Sequence, residues 1–143
     1  PTAVTLVSGS VRGGSAASLA GTDGVYYMVR SPFLGNPSWY GTFATDTHAA
    51  GFKATFTGFT SRTCTLSLAV YRWPTGTWVA MGTPATVNTY VTTVSDAAPS
   101  TSIPASELRS ASGEVRVRAT CSAPVSFSQW TLSTDLLRLS YVS

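Results

Sequence analysis

The chain has 143 residues, a length that suits one domain able to bury roughly two thirds of its unfolded surface, and we expect 1–143 to form a single domain. Only 10% of the residues are charged, and the net charge of +3 is scattered rather than clustered, which argues against nucleic-acid binding but leaves an anionic glycan or a cell surface open. No apolar run approaches the ~18 residues that span a bilayer, so no membrane partner is expected.

In order along the chain, short segments with period-two alternation are separated by turn residues, and almost nothing repeats at the helical period. Nine strands are predicted, at 2–8, 25–30, 38–45, 51–59, 64–73, 77–82, 86–95, 113–121 and 136–142. The connection at 97–112 allows at most one or two helical turns. The pattern predicts an all-β, antiparallel β-sandwich of jelly-roll type with its first and last strands together, and a barrel is the alternative.

The segment 64–73 alternates most clearly between two faces. Leucine and valine share one face with a cysteine, whereas Tyr71 and Trp73 fall on the other, because successive strand side chains point to opposite sides. The expected core residues of this segment are Cys64, Leu66, Leu68 and Val70. The turn at 74–76 then predicts a hairpin in which Trp73 and Trp78 flank the bend.

The two cysteines, Cys64 and Cys121, are 57 positions apart, a spacing that does not suggest a zinc site. In 113–121 the same alternation places Cys121 on the core face, so both cysteines point inward and a disulfide is expected. A loop of that length would stabilise the fold by about 4 kcal/mol in the chain-entropy model, and a disulfide implies a secreted, extracellular protein. Two buried free thiols are the alternative.

Signatures of catalysis are weak, and we expect no enzyme. His48 and Asp46 look like turn residues, and no Gly-x-Ser-x-Gly elbow occurs. The six acids lie mostly at turns, which does not favour a paired-carboxylate site. No cofactor is expected, although Asp23 or Asp135 could contribute to a structural calcium site, which no Asp-x-Asp cluster supports.

Aromatic and arginine residues supply the candidate binding site. Sugar rings stack on flat aromatic rings, and arginine and hydroxyl groups provide directional hydrogen bonds. The candidate ligand-binding residues are Tyr71, Trp73, Trp78, Arg72, Arg116, Arg118, Trp39 and Tyr40. The alternative is that the tryptophans serve in packing, and whether Arg116 and Arg118 neighbour Tyr71 depends on a strand order that the sequence does not give.

Four runs, 18–27, 38–43, 64–73 with 77–79, and 113–118, carry a family resemblance. They resemble an accessory β-sandwich module of secreted actinobacterial hydrolases, similar to carbohydrate-binding modules. The resemblance implies a non-catalytic jelly roll attached to an enzyme that acts on an insoluble or surface-bound polymer. It does not imply a particular ligand.

Two function classes follow. The first is a carbohydrate- or polymer-binding module, a monomer fused to a catalytic domain that it targets to its substrate. The second is a structural or protein-interaction domain, a spacer or cell-surface tether. Since the chain opens at Pro1 without a signal-peptide pattern, we also expect it to be a piece of something longer.

Overall fold

The computed structural model of the chain describes residues 1–45, 48–124 and 128–142. Within these residues ten strands form two five-stranded antiparallel sheets, which confirms the predicted β-sandwich. The strands are β1 (Ala3–Ser8), β2 (Ser10–Gly13), β3 (Tyr27–Arg30), β4 (Ser38–Ala44), β5 (Gly51–Thr60), β6 (Cys64–Arg72), β7 (Thr77–Val87), β8 (Thr92–Ala97), β9 (Glu114–Ser122) and β10 (Thr131–Val142).

Sheet A has the strand order β1-β4-β9-β6-β7, and sheet B has the order β2-β3-β10-β5-β8. A 3₁₀ helix, Ala16–Leu19, precedes β3, and a single helical turn, α1 (Ala105–Leu108), precedes β9. No helix in the described part of the chain is both long enough and apolar enough to cross a membrane.

The first and last strands do not lie together, so that prediction is wrong. β1 pairs with β4 at the edge of sheet A, whereas β10 lies inside sheet B between β3 and β5. The chain passes from one sheet to the other at Gly9, whose φ of 110° is a left-handed value. A Cβ at Gly9 would also collide with the Arg30 carbonyl oxygen, so glycine is required where β1 ends and β2 begins.

The inner faces of the two sheets meet in one hydrophobic cluster. Sheet A contributes the predicted face of β6, in which Leu66, Leu68 and Val70 are at most 4% exposed. Burying a side chain of this kind contributes about 1.5–3 kcal/mol, so the alternation is a direct source of stability. Facing them from sheet B are Tyr27, Val29, Phe52, Phe56, Leu132 and Leu137.

The disulfide between Cys64 and Cys121 is present, which confirms the predicted pairing. It joins β6 to β9, two neighbouring strands of sheet A, with the two Cα atoms 5.5 Å apart. Both cysteines are at most 3% exposed and belong to the core. The same two strands carry the candidate binding residues on their opposite face.

Candidate functional site on the outer face of sheet A

Strand register brings most of the predicted site residues onto one face. Arg118 on β9 lies opposite Tyr40 on β4, and Tyr71 on β6 lies opposite Trp78 on β7. Because Val117 and Val70 of the same strands point into the core, these alternate residues point away from it. The outer face of sheet A therefore brings together side chains from β4, β9, β6 and β7.

Four aromatic rings are in contact there. The ring centroids of Tyr71 and Trp73 are 5.0 Å apart at 89°, and those of Tyr71 and Trp78 are 5.1 Å apart at 63°. Tyr40 and Trp78 are 5.6 Å apart at 47°. All four rings are partly exposed and none is parallel to its neighbour, so they form a tilted aromatic surface and not a coplanar one.

The rings lean toward the middle of the sheet. β4 and β7 are separated by β9 and β6, which puts their backbones roughly 14 Å apart at a strand spacing of about 4.8 Å. The rings of Tyr40 and Trp78 nevertheless approach to 5.6 Å between centroids. The two rings therefore extend over β9 and β6, where they contact the side chains of Arg116 and Arg118.

Arg116 and Arg118 fill the space among the rings. The guanidinium carbon of Arg116 is 4.5 Å from the ring centroid of Trp73, with the rings of Tyr40 and Tyr71 at 5.3 and 5.7 Å. That of Arg118 is 4.8 Å from the ring of Trp78. Such cation–π contacts are each worth about 0.5–2 kcal/mol. We call these six residues, Tyr40, Tyr71, Trp73, Trp78, Arg116 and Arg118, the ring–arginine cluster.

Two polar groups in the cluster have no hydrogen-bond partner among the residues that the structure describes. The Nε of Arg116 and the Nε1 of Trp73 are buried without a hydrogen bond. No carboxylate of the described residues lies within salt-bridge distance of Arg116 or Arg118. Burial also lowers the pKa of the Arg118 guanidinium from its usual value, because desolvation disfavours the charged form. The cluster is thus cationic, half-buried and short of acceptors.

Arg72, predicted as a ligand residue, is placed differently. It follows Val70 by two positions, so the alternation of β6 directs it away from Tyr71. Its Nε and Nη2 donate to Oε1 of Glu107 on α1, at 3.0 and 2.8 Å. The backbone N–H of Trp73 donates to the Glu107 carbonyl oxygen at 2.9 Å. Arg72 therefore fastens α1 to the end of the hairpin and stands outside the ring–arginine cluster.

Trp39 is also outside the cluster, which corrects its prediction as a surface ligand residue. It is 0% exposed and packs edge-on against Tyr27, with ring centroids 4.9 Å apart. Trp39 and Tyr40 are consecutive on β4, so only one of the two can face outward. The outward one is Tyr40.

The sequence prediction omitted the small residues of the same face. Ala69 lies opposite both Arg118 and Ala80, so two methyl side chains stand on the strands beside the arginine. Thr42 of β4 lies opposite Arg116. Short side chains at these positions leave room for the rings to lean inward. The period-two alternation of the sequence assigns these residues to the outer face, but the sequence does not show the strand pairing that brings them together.

Of the residues considered for catalysis or calcium, His48, Asp23 and Asp135 lie outside the ring–arginine cluster. Asp46 is outside the described residues, and His48 is exposed. Asp23 is exposed and accepts the Val25 backbone N–H in a local turn. Asp135 is 7% exposed, and one of its carboxylate oxygens has no hydrogen-bond partner. Over 1–45, 48–124 and 128–142, no group of three or more His, Cys, Asp or Glu side chains is placed to hold a metal ion.

A cavity of about 200 Å³ lies elsewhere, beside the start of β5. It is lined by residues that include Lys53, Pro99, Ile103 and Leu108, and by none of the ring–arginine cluster. Among the described residues that line it, Lys53 is the only charged one. We place the candidate site on the open sheet face, where the rings and the arginines converge.

No protein-family model matches this chain, and no curated protein matches its sequence. Among solved structures, one described as "CBM4 structure and function" is similar over 99% of this chain and 96% of that chain, with a TM-score of 0.60 and 15% sequence identity. The likeness is one of fold. A TmCBM61 structure in complex with beta-1,4-galactotriose covers 98% of this chain and 83% of that chain, with a TM-score of 0.46 and 12% identity.

Proposed function

We propose that this chain is a non-catalytic carbohydrate-binding module that binds polysaccharide on the ring–arginine cluster. The observation that carries the proposal is the convergence of four partly exposed rings and two arginines on one open sheet face. Rings present apolar surface to the C–H faces of sugars, and guanidinium groups donate to sugar oxygens. The sandwich likeness to a carbohydrate-binding module supports the same function.

The biological setting in the proposal is extracellular. The disulfide between Cys64 and Cys121 supports it, since such bonds persist in oxidising compartments. A module of this kind acts by holding an attached catalytic domain close to its polymer, which raises the effective concentration of the enzyme there. The resemblance to accessory modules of secreted actinobacterial hydrolases supports that arrangement.

The test is retention of the isolated chain on a panel of soluble and insoluble polysaccharides, with the affinity measured for each variant. Trp73→Ala and Trp78→Ala should each weaken binding at least about tenfold, in line with the loss of a central aromatic contact. The free energy of unfolding should fall by only about 1–2 kcal/mol, because these rings are half-buried and ring pairs contribute about 0.5–1.5 kcal/mol. Tyr90→Ala is the matched control, since Tyr90 is 79% exposed on a distant loop.

A structural or protein-interaction role is the second candidate, and the tilt of the rings favours it. Each ring of the cluster packs on another, at 47° to 89°, as rings do when they serve only to cover a sheet. That role predicts no polysaccharide retention and a large stability loss, about 3–5 kcal/mol, for the two tryptophan variants. Retention that both tryptophan variants lose while Tyr90→Ala keeps it would exclude this candidate.

A further inference from the structure

The ring–arginine cluster differs from a purely aromatic sugar site because it contains two arginines that have no acidic partner among the described residues. Arg116 and Arg118 are two positions apart on β9, so their side chains leave the sheet on the same side from points roughly 7 Å apart. Both are half-buried among rings. Like charges held this close repel each other, and rings compensate a cation only through its flat face. The N–H groups at the edges of both guanidinium groups are therefore available to bind another partner.

No acid in the described part of the chain supplies that partner. Glu107 is bonded to Arg72, Asp135 is buried in sheet B, and Asp23 lies in a turn. Glu114 shares the outer parity of β9 with the arginines, yet its carboxylate is not within salt-bridge distance of either one. The buried Nε of Arg116 has no acceptor among the described residues. Arg72 is paired with an acid of its own chain, whereas Arg116 and Arg118 have no acidic partner among the described residues.

We propose, building on the carbohydrate-binding function above, that the ring–arginine cluster selects anionic polysaccharides and binds their acidic groups with Arg116 and Arg118. The planar guanidinium fork matches a carboxylate or a sulfate ester with two parallel hydrogen bonds. The surrounding rings exclude water from those bonds and contact the sugar carrying the charge. A uronic acid and a sulfated sugar both present negatively charged acceptor oxygens, and a comparison of polymers that carry one or the other shows which is bound.

The decisive test changes only the ligand's charge. Affinity for polygalacturonate is compared with affinity for its methyl-esterified form, and affinity for dextran sulfate with affinity for dextran, at about 0.1 M salt. We expect the acidic member of at least one pair to bind about tenfold tighter or more, as the loss of a charge-assisted hydrogen bond implies. The uronate pair and the sulfate pair show which acidic group is preferred. No change is made to the protein, so folding does not enter this comparison.

Variants then locate the effect. Arg116→Gln and Arg118→Gln should each remove most of the preference for the acidic polymer, whereas Arg116→Lys, which keeps the charge and the apolar stem, should remove part of it. Arg138→Gln is the matched control, because Arg138 is an exposed arginine on β10 of the other sheet and carries the same charge. Polyglutamate serves as a polyanion without sugar rings, and we expect weak binding to it.

Equal affinity for the acidic and neutral members of both pairs, with tryptophan-dependent binding intact, would overturn this inference and leave the proposed function standing. Equal weakening by Arg138→Gln and Arg116→Gln, or equal binding to polyglutamate, would also overturn it, since net charge would then explain the attraction. If the chain is retained on no polysaccharide at all, both the proposed function and this inference fail.

Discussion

The same strands form the inner and outer faces of sheet A, yet the inner face is buried in the core and the outer face is partly open to solvent. On β6, Leu66 and Leu68 enter a closed core, whereas Tyr71 joins a surface that is partly open to solvent. On β9, Val117 is 0% exposed while its neighbours Arg116 and Arg118 stand among rings on the other side. A shift of one residue in register would exchange the two faces, so the fold and the site depend on the same alternation.

Several hydroxyl groups on the outer side of sheet B have hydrogen-bond partners within the chain. There, the hydroxyl groups of Thr57 and Thr93 bond each other at 3.0 Å, and the Asp96 backbone N–H donates to Thr55 at 3.1 Å. These side chains satisfy one another. On the outer face of sheet A, by contrast, the Nε of Arg116 and the Nε1 of Trp73 are buried without an acceptor among the described residues. The other buried polar atoms without a partner, in Trp39, Arg62, Thr134 and Asp135, lie outside the ring–arginine cluster.

Removing a tryptophan from the inner face should have the largest effect on stability. Trp39→Ala should lower the free energy of unfolding by about 3–5 kcal/mol, because the ring is 0% exposed and its loss leaves a large cavity. The measurement is chemical denaturation followed by circular dichroism. Polysaccharide affinity of the folded fraction should stay close to that of the parent chain.

Trp78→Ala is the control for this comparison, since it removes the same side chain from the outer face. If the two variants lose equal stability, the distinction between a packing face and a binding face is wrong.

Removing the disulfide should have the next largest effect. The double variant Cys64→Ala with Cys121→Ala should lose about 2–4 kcal/mol of unfolding free energy, because the open chain gains conformational freedom in its unfolded state. The bond lies on the inner face, so the folded variant should bind within about twofold of the parent. Denaturant midpoints and binding isotherms at low temperature measure the two effects separately.

The parent chain treated with a reductant is the control for the double variant, and its stability should fall by a similar amount. Loss of binding in a double variant that remains folded would instead show that the bond holds the outer face in shape.

The sandwich was predictable because alternation is local. The faces of 64–73 and 113–121 follow from hydrophobic residues at every second position, and that is enough to place both cysteines in the core. The placement of the first strand was not predictable in the same way. Pairing of β1 with β4, and the transfer of β2 to sheet B at Gly9, are long-range choices that depend on tertiary packing.

The candidate site was predictable in part for the same reason. Alternation alone excludes Trp39 if Tyr40 faces outward, and excludes Arg72 if Tyr71 does, so two of the predicted residues could have been removed by parity. The meeting of Arg116 with Tyr40 and Trp73 required the order β4-β9-β6, which no local pattern encodes. The lean of Trp78 across two strands likewise appears only in three dimensions.

The smallest expected effect concerns Arg72, which marks the boundary between the two faces. Glu107→Gln and Arg72→Gln should each lower the free energy of unfolding by about 0.5–1 kcal/mol, because an ion pair whose side chains are 34% and 28% exposed is screened by solvent. The double variant should be no less stable than the weaker single variant, since both substitutions break the same contact. Polysaccharide affinity should stay within about twofold in all three, because Arg72 points away from Tyr71. A tenfold loss of affinity in Arg72→Gln, without a matching loss in Glu107→Gln, would return Arg72 to the binding face and extend the ring–arginine cluster around the end of the hairpin.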